Sequence, residues 1–320
     1  MPGFAQFYDA MVAQLPPEYE AGADVERVCW PLLQELAAAA TPAGSSPAGG
    51  STQHDSIAGQ APGSSNSAAQ LSVLDMCTGS GRVALALAAR WAAWTGASPG
   101  TRLSIVGVDH SSEMLAAAQA AAAERSTHSS VQLSWQLGDM AAPQPPVPPG
   151  TCSLAILTAG SFHHLLTSAD QAAALRSLAA CLRQPPAPSF LVLNLLDPGH
   201  LAAHAGQELL AGPYRRMCLA AAREAAPDGG MIWRHRFRLQ RYASEVAAAA
   251  VEAAGLLWER EEGWALREVA PEDLERLAAA AGLQLVRRRA RWSDGWGGAA
   301  PACAVADGRV FVFAPGPAAA

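Results

Sequence analysis

The sequence predicts an α/β fold in which a doubly wound, mostly parallel sheet carries helices on both faces. From residue 71 onwards, short apolar segments alternate with Ala-rich segments of helical length. The apolar segments are nearly continuous, as expected for strands that are buried on both sides. Right-handed crossovers place the carboxyl ends of parallel strands at one edge of the sheet. We therefore expect the residues that follow these strands to line one ligand crevice.

Two segments of different composition precede this region. Residues 1–36 are predicted to form one or two helices, because apolar side chains recur at helical spacing in FAQFYDAMVAQL. Residues 37–70 are a low-complexity stretch of Ala, Ser, Gly and Pro that can bury little apolar surface. We expect this second segment to be a disordered insertion.

The core region, residues 71–198, contains five predicted strands. A helix is predicted after the first, second and fourth strands, and the last of these helices begins with a Thr-x-x-Asp pattern related to the capping box. A proline-rich loop, PQPPVPPG, follows the third strand, because proline lacks the donor that a central strand needs. The predicted strands are LSVLDM, RLSIVGVDH, VQLSWQLGDM, CSLAILTAG and SFLVLNLLDPG.

The alternation of strands and helices stops after residue 198. Residues 199–226 are predicted to be helical. Residues 231–243, MIWRHRFRLQRYA, alternate between arginine and apolar side chains, which predicts a half-exposed strand. Residues 255–270 are predicted to add one or two strands, whose glutamates would pair with the arginine face.

The C-terminal region is predicted to return to the core. PEDLERLAAAAG has the features of a helix, with Pro271 at its start, acids in its first turn and Gly282 just past its end. LQLVRRRARW and GRVFVFAP are predicted to form an antiparallel pair of closing strands.

Composition argues against several kinds of partner. The net charge of −6 gives no overall attraction to nucleic acid or to anionic membranes. The six cysteines include no Cys-x-x-Cys pair and no zinc-like spacing, so we expect reduced thiols and no metal. Since the sequence also has no evident leader and no membrane-spanning run, we expect a cytoplasmic protein.

Polar or small residues follow four successive predicted strands. Asp75 precedes a loop of small residues, 77–81, whose backbone can approach a ligand closely. Asp109 ends the second strand, where a carboxylate can accept two hydrogen bonds from a ribose diol. Asp139 ends the third strand and can accept a hydrogen bond from an adenine amino group. Gly160 and its small neighbours leave room at the end of the fourth strand.

The first loop argues against two common nucleotide sites. No lysine follows its glycines, which excludes a Walker A loop. Gly79, Gly81 and Ala84 are compatible with a dinucleotide fingerprint, but Asp75 at the mouth of the loop would repel a pyrophosphate. A carboxylate in this position suits a ligand that carries an ammonium group.

These segments together carry a family resemblance. VLDMCTGSGRVALALA, VGVDHSSEMLAAA, GDM and LTAGSFHHLL resemble motifs I to IV of the class I S-adenosylmethionine-dependent methyltransferases. The resemblance is strongest to the small-molecule branch, which includes glycine and sarcosine N-methyltransferases and ubiquinone and menaquinone methyltransferases. FYDAMVAQLPPEYEA and WALREVAPEDLERLAAAAGLQLV resemble the N-terminal and late segments of that branch.

The resemblance implies a Rossmann-like, seven-stranded, mostly parallel sheet with a reversed last strand and an inserted antiparallel substrate cover. It implies S-adenosylmethionine as the cofactor and S-adenosylhomocysteine as the product. The chain would then divide into an N-terminal helical lid (1–36), the insertion (37–70), a cofactor-binding core (71–198), the substrate cover (199–270) and the closing elements of the core (271–320).

The resemblance also implies roles for single residues. Asp75 would orient the loop and the methionine amino group, Asp109 would bind the ribose hydroxyls, and Asp139 would bind the adenine amino group. Cys77 stands where the family usually has Gly or Ala. The other implied cofactor-binding residues are Tyr8, Cys77, Thr78, Gly79, Gly81, His110, Met114, Met140, Thr158, Ala159 and Gly160.

The expected reaction is methyl transfer to a nitrogen or oxygen atom of a small molecule by a monomer or homodimer. His163 and His164 are candidate general bases; alternatively, one of them packs and the other caps the next helix. Two other functions stay open: a methyltransferase of RNA or protein, and a non-catalytic relative that binds the cofactor. The Asn-Pro-Pro-Tyr type of motif found in many enzymes that modify nucleic-acid nitrogens is absent after the fourth strand.

Overall fold

The computed structural model describes most of the chain outside the low-complexity regions. The described residues are 5, 8–10, 24–40, 69–94, 96, 100–125, 129–142, 144–196, 201, 206–244, 255–289 and 309–317. The insertion expected at 37–70 lies outside them over residues 41–68. Its first four residues belong to a helix and Gln70 begins a strand, so any insertion is shorter at both ends than the sequence indicated.

The main sheet has seven strands and confirms the predicted fold class. Its order is β10-β11-β5-β4-β1-β2-β3. Strands β1 to β5 are parallel to their neighbours within that group, whereas β11 runs antiparallel to both β5 and β10. Its strands are β1 (Gln70–Met76), β2 (Arg102–Asp109), β3 (Val131–Leu137), β4 (Leu154–Leu157), β5 (Phe190–Asn194), β10 (Leu283–Arg289) and β11 (Val310–Pro315).

Helices flank this sheet, and their ends carry the predicted signals. Thr167 accepts a hydrogen bond from the backbone N–H of Asp170, and Pro271 starts the last helix. None of the described helices is long and apolar enough to cross a membrane. A π-helical turn, Val25–Cys29, leads into α1 (Trp30–Ala40); α2 (Arg82–Ala93), α3 (Ser112–Ala123), α4 (Ser168–Cys181) and α5 (Pro271–Ala280) follow, with a 3-10 turn at Ser161–His164 before α4.

Two apolar clusters bury the main sheet from both sides. On one side, Leu33 of α1 and Leu87 of α2 pack in a cluster with Val73 and Ile156 of the sheet. On the other side, Leu178 of α4 and Leu274 of α5 pack with strand residues such as Leu157 and Phe311. The sheet is therefore fixed on both faces, and only the loops at its edges are available for binding.

A second, antiparallel sheet occupies the region between β5 and α5. Its strands, in spatial order, are β6 (Glu208–Ala211), β7 (Tyr214–Ala225), β8 (Met231–Tyr242) and β9 (Leu256–Arg267). We refer to it as the cover sheet. The half-exposed strand predicted at 231–243 is confirmed, and the one or two strands predicted at 255–270 form a single strand.

The helix predicted at 199–226 is wrong over the described residues 206–226, which are strands and turns. Alanine is the best helix former, and this segment is rich in alanine. However, β7 pairs with β8 along nearly its whole length, from Tyr214 opposite Arg241 to Ala225 opposite Met231. Tertiary pairing with an alternating strand has overridden local propensity here.

Arg267, at the end of β9, joins the cover sheet to the core. Its side chain donates hydrogen bonds to the carbonyl of Leu166 at 2.8 Å, to Ser168 Oγ at 3.0 Å and to Asp228 Oδ1 at 2.6 Å. Asp228 in turn accepts the backbone N–H of Ser168 at 2.8 Å. The segment before α4, the β7–β8 turn and the end of β9 therefore meet at one guanidinium group.

Candidate active site

The loop after β1 is folded around a buried carboxyl group. Asp75 Oδ2 accepts hydrogen bonds from Thr78 Oγ1 at 2.6 Å and from the backbone N–H of Ala84 at 3.2 Å. Burial raises the pKa of Asp75 to about 6, although these hydrogen bonds and the nearby Arg82 lower it. Asp75 thus bonds two residues of the segment 77–84, Thr78 and Ala84.

The loop itself passes through the left-handed region of backbone space three times, at Cys77 (φ 59°), Gly79 (φ 57°) and Gly81 (φ 82°). Cys77 adopts a conformation that costs a non-glycine residue about 1–2 kcal/mol. Its Sγ lies 3.5 Å from Met140 Sδ, and burial raises the pKa of the thiol to about 12. Only glycine fits at position 81, since a Cβ there would lie 2.8 Å from the ring of Trp135.

Asp109 connects this loop to the end of β2. Its Oδ2 accepts the backbone N–H of Gly79 at 2.8 Å, and its Oδ1 accepts that of Ser111 at 2.9 Å. Each carboxylate oxygen keeps a second acceptor site, so the group can still receive hydroxyl donors from a ligand. The neighbouring His110 is exposed, with Nδ1 3.4 Å from Asp109 Oδ1, and Met114 is buried in the first turn of α3.

The N-terminal segment reaches the same loop. Asp9 Oδ1 accepts a hydrogen bond from Ser80 Oγ at 2.5 Å. Burial raises the pKa of Tyr8, against the lowering effect of Arg82, and the carboxylates of Asp9 and Asp109 raise it further. Tyr8 therefore lies near the charged groups around the loop, and its closing role stays a prediction.

Arg82, the first residue of α2, fixes a second part of the N-terminal region. Its Nη1 donates to Asp24 Oδ1 at 2.9 Å, and its Nη2 to Oδ2 at 2.5 Å. Although burial lowers the pKa of Arg82, the hydrogen bond with Asp24 raises it above its ordinary value. No local pattern in the sequence marks Asp9, Asp24 or Arg82 as site residues, because their partners lie 58 or 71 residues away in the chain.

The third and fourth strands end in different surroundings. Asp139 is exposed and its Oδ1 accepts the backbone N–H of Ala141 at 2.9 Å, while Met140 is half-buried. Thr158 is buried, and both Ala159 (φ 57°) and Gly160 (φ 71°) are left-handed. The Gly160 N–H donates to Asn194 Oδ1 at 3.1 Å. Asn194, at the end of β5, was not foreseen, although a polar residue closing an apolar strand is a recognisable signal.

Two solved structures with a similar fold are described as methyltransferases. An S-adenosylmethionine-dependent methyltransferase from Clostridium acetobutylicum ATCC 824 is 11% identical, with a TM-score of 0.54, covering 77% of this chain and 84% of that one. The CcbJ methyltransferase from Streptomyces caelestis is 19% identical, with a TM-score of 0.53, covering 98% of this chain and 96% of that one. At these identities the likeness concerns the fold. No curated protein matches the chain in sequence.

The family model described as "Methyltransferase domain" matches residues 73–185. Residues 73–185 therefore form a methyltransferase domain. The matched residues run from β1 to just past α4, so they include the loop after β1, Asp109, Asp139 and the 3-10 turn. The predicted family is thereby confirmed.

His163 and His164 occupy unlike positions in the methyltransferase domain. His163 is fully buried; its Nδ1–H donates to the carbonyl of Arg267 at 2.6 Å, and its Nε2 accepts the N–H of Leu196 at 2.8 Å. Burial lowers its pKa to about 4. With both ring nitrogens occupied, His163 packs and does not exchange protons with a substrate, which corrects its candidacy as a general base.

His164 remains a candidate for proton transfer in the methyltransferase domain. It is exposed at the end of the 3-10 turn, where the backbone of Ala265 in β9 lies beside it. Partial burial of the ring lowers the pKa of His164, and the positive charge that His110 can carry lowers it further. Among the described residues, no three His, Cys, Asp or Glu side chains are grouped as metal ligands.

Proposed function

We propose that the chain transfers the methyl group of S-adenosylmethionine to a nitrogen or oxygen atom of a small molecule. The observation that carries this proposal is the convergence of Tyr8, the loop 77–81 and Asp109 at the carboxyl edge of the main sheet, next to the cover sheet. The cover sheet contacts this edge in three places. Ala10 packs on the apolar cluster of the cover sheet, and Arg260 Nη1 lies 3.7 Å from Glu113 Oε2. The backbone carbonyl of Arg267 accepts a hydrogen bond from the ring of His163.

The residues present suit this cofactor. An added Cβ at Gly79 would meet no atom of the described residues within 4 Å, so these residues leave open space in front of the loop. Gly81, the N-cap residue of α2, has no side chain to fill the space there, and Asp75 accepts one of the first N–H groups of this helix, that of Ala84. The residues that would hold the cofactor are Tyr8, Asp75, Cys77, Thr78, Gly79, Gly81, Asp109, His110, Met114, Asp139, Met140, Thr158, Ala159 and Gly160.

When bound, S-adenosylmethionine supplies an already activated methyl group. The protein then mainly has to hold the acceptor atom in line with it, and positioning alone can supply a large part of the rate. An acceptor that arrives protonated also needs a base, and His164 is the described side chain placed for this at the end of β4. The cover sheet would exclude water and determine the size of the acceptor.

The cofactor assignment is tested by calorimetric titration of S-adenosylmethionine into the wild type and Asp109→Ala. Loss of hydrogen bonds to a charged group should weaken binding about ten- to a hundredfold. The matched control is Asp273→Ala, which should bind like the wild type. Asp273 is an exposed carboxylate on α5 that pairs only with Arg276 among the described residues. Equal binding to all three proteins, or binding to none, would refute the assignment.

The acceptor class is tested by release of S-adenosylhomocysteine. We expect release with pools of small amines or alcohols and none with total RNA or with unfolded protein. Release only with RNA or protein would favour a macromolecular substrate. Cofactor binding without release from any pool would favour the non-catalytic alternative.

A further inference from the structure

One face of the cover sheet carries a group of aromatic and charged side chains that extends from its apolar cluster. In β8, Trp233, His235 and Phe237 stack in a row, with ring centroids 6.0 Å and 5.5 Å apart. Phe237 also contacts Trp264 of β9, at 4.8 Å between ring centroids. Arg216 of β7 lies over this group, with its guanidinium carbon 5.1 Å from the Phe237 ring and 5.8 Å from that of Trp264.

Arg216 differs from Arg260, another arginine on this face, in its partners. Arg260 forms ion pairs with Glu262 and Glu113. For Arg216, no carboxylate of the described residues is within ion-pair distance, and no hydrogen bond of its guanidinium group is found in that part of the chain. Burial lowers the pKa of Arg216, as expected for a cation that has lost water without gaining a counter-charge. Such a group attracts an anion.

His235 adds an independent sign of an unfilled site. Its side chain is buried, with 4% of the residue exposed, and within the described structure neither ring nitrogen has a hydrogen-bond partner in good geometry. The backbone of Leu201 lies beside the ring, so it can satisfy one nitrogen at most. Buried polar atoms nearly always have partners, and a ligand would supply the missing one.

This face is directed to the proposed site of methyl transfer. Ala10 packs against the cluster that contains Phe237 and Trp264, two residues after Tyr8 in the chain. At the other end, Ala265 follows Trp264 and lies beside His164. The aromatic and charged group therefore lies between the N-terminal segment and the 3-10 turn, the two elements expected to flank the acceptor.

We propose that Arg216 and His235 bind an anionic group of the methyl acceptor, a carboxylate or a phosphate, and that Phe237 and Trp264 hold the adjoining part of the molecule. The inference rests on the proposed function and names the substrate class of the same site. It predicts selectivity for acidic acceptors over their neutral amides. The guanidinium matches both anions, because its planar fork donates two parallel hydrogen bonds.

The test measures ligand binding rather than turnover, so that it can fail independently of the proposed function. Benzoate, benzamide and inorganic phosphate are titrated into the full chain with S-adenosylhomocysteine present, and Trp fluorescence and calorimetry are recorded. Arg216→Met keeps an unbranched side chain on the rings and removes the charge. Arg236→Met, on the exposed face of β8 in the same sheet, is the matched control.

We expect benzoate or phosphate to bind the wild type at least tenfold more tightly than benzamide, and the stronger of the two identifies the anion. Arg216→Met should lose this difference, whereas Arg236→Met should keep it. His235→Phe retains the stack but removes the ring nitrogens, and should weaken binding about threefold or more. Equal binding of benzoate, phosphate and benzamide, no binding at all, or an Arg216→Met protein that binds like the wild type would overturn the proposal.

Discussion

Two adjacent histidines, His163 and His164, differ in how far their side chains are buried. His163 is held between the Arg267 carbonyl and the Leu196 N–H, which fixes its proton on Nδ1. His164 is exposed on the side of the crevice. The His-His sequence alone cannot show which of the two rings is buried, since the partners of His163 lie 33 and 104 residues away in the chain.

His164 should titrate below the ordinary histidine pKa of about 6.5. Enclosure and the neighbouring His110 both disfavour its charged form, so it is neutral and able to accept a proton at pH 7. Activity that depends on His164 is therefore present at neutral pH and falls as the pH drops through this lowered value. We expect His164→Gln to reduce kcat by about a hundredfold and to remove this acidic limb.

The measurement is an NMR titration of the histidine C2–H signals, together with pH profiles of kcat/KM for an acceptor identified by S-adenosylhomocysteine release. His110→Gln removes a neighbouring positive charge, so it should raise the pKa of His164 and move the acidic limb to higher pH. An acidic limb that survives unchanged in His164→Gln would assign it to the acceptor or to another residue.

At the scale of elements, the contacts of Arg267 decide whether the cover sheet stays attached to the core. The residue is 6% exposed and donates to two elements at once. We expect Arg267→Met to lower the free energy of unfolding by about 1–3 kcal/mol, because the partly buried acceptors at Leu166 and Ser168 and the Asp228 carboxylate lose a charged donor. Urea unfolding measures this loss. Arg276→Met, which breaks only an exposed pair with Asp273, should change stability by less than about 0.5 kcal/mol.

The pH dependence of the same contact has a defined sign. The hydrogen bond from Arg267 holds the pKa of Asp228 well below its usual range. The stabilisation by this contact is therefore complete above a pH of about 3.9, the pKa of an unfolded-state Asp. It is lost as the pH falls further, through the lower pKa that Asp228 has in the folded state. Asp228→Asn should lower the thermal midpoint at pH 7 and differ progressively less from the wild type as the pH falls below about 4. A constant difference would contradict this account.

The elements that the sequence predicted correctly are those with a local signal. Largely apolar segments predicted β1, β2, β4 and β5, alternation predicted β3, and the alternation of arginine with apolar residues predicted β8. The strand β7 has no such signal: LAAAREA is helical by propensity, and only β8 makes it a strand. The carboxylates Asp75, Asp109 and Asp139 were located by their place after strands, whereas Asp24, Arg82 and Arg267 act through long-range partners that no spacing reveals.

For the molecule as a whole, the two sheets are stabilised to different degrees. The main sheet has large apolar clusters on both faces, but the cover sheet has one small cluster around Tyr214, Phe237 and Leu239. Its other face carries exposed arginine–glutamate pairs, such as Arg238 with Glu261 at 2.9 Å, which contribute little to stability. The cover sheet should therefore open at a lower free energy than the core.

Native-state hydrogen exchange, read by mass spectrometry, measures this difference. Amides of β7 to β9 should exchange at least tenfold faster than those of β4 and β5, because regions with fewer buried apolar contacts open without global unfolding. Arg267→Met should accelerate exchange in the cover sheet and leave β4 nearly unchanged, since the main sheet keeps both of its clusters. S-adenosylhomocysteine should slow exchange in the loop after β1 and in the N-terminal segment around Tyr8. If Arg267→Met accelerates exchange equally in both sheets, the two unfold as one cooperative unit, and access of the acceptor cannot depend on separate opening of the cover sheet.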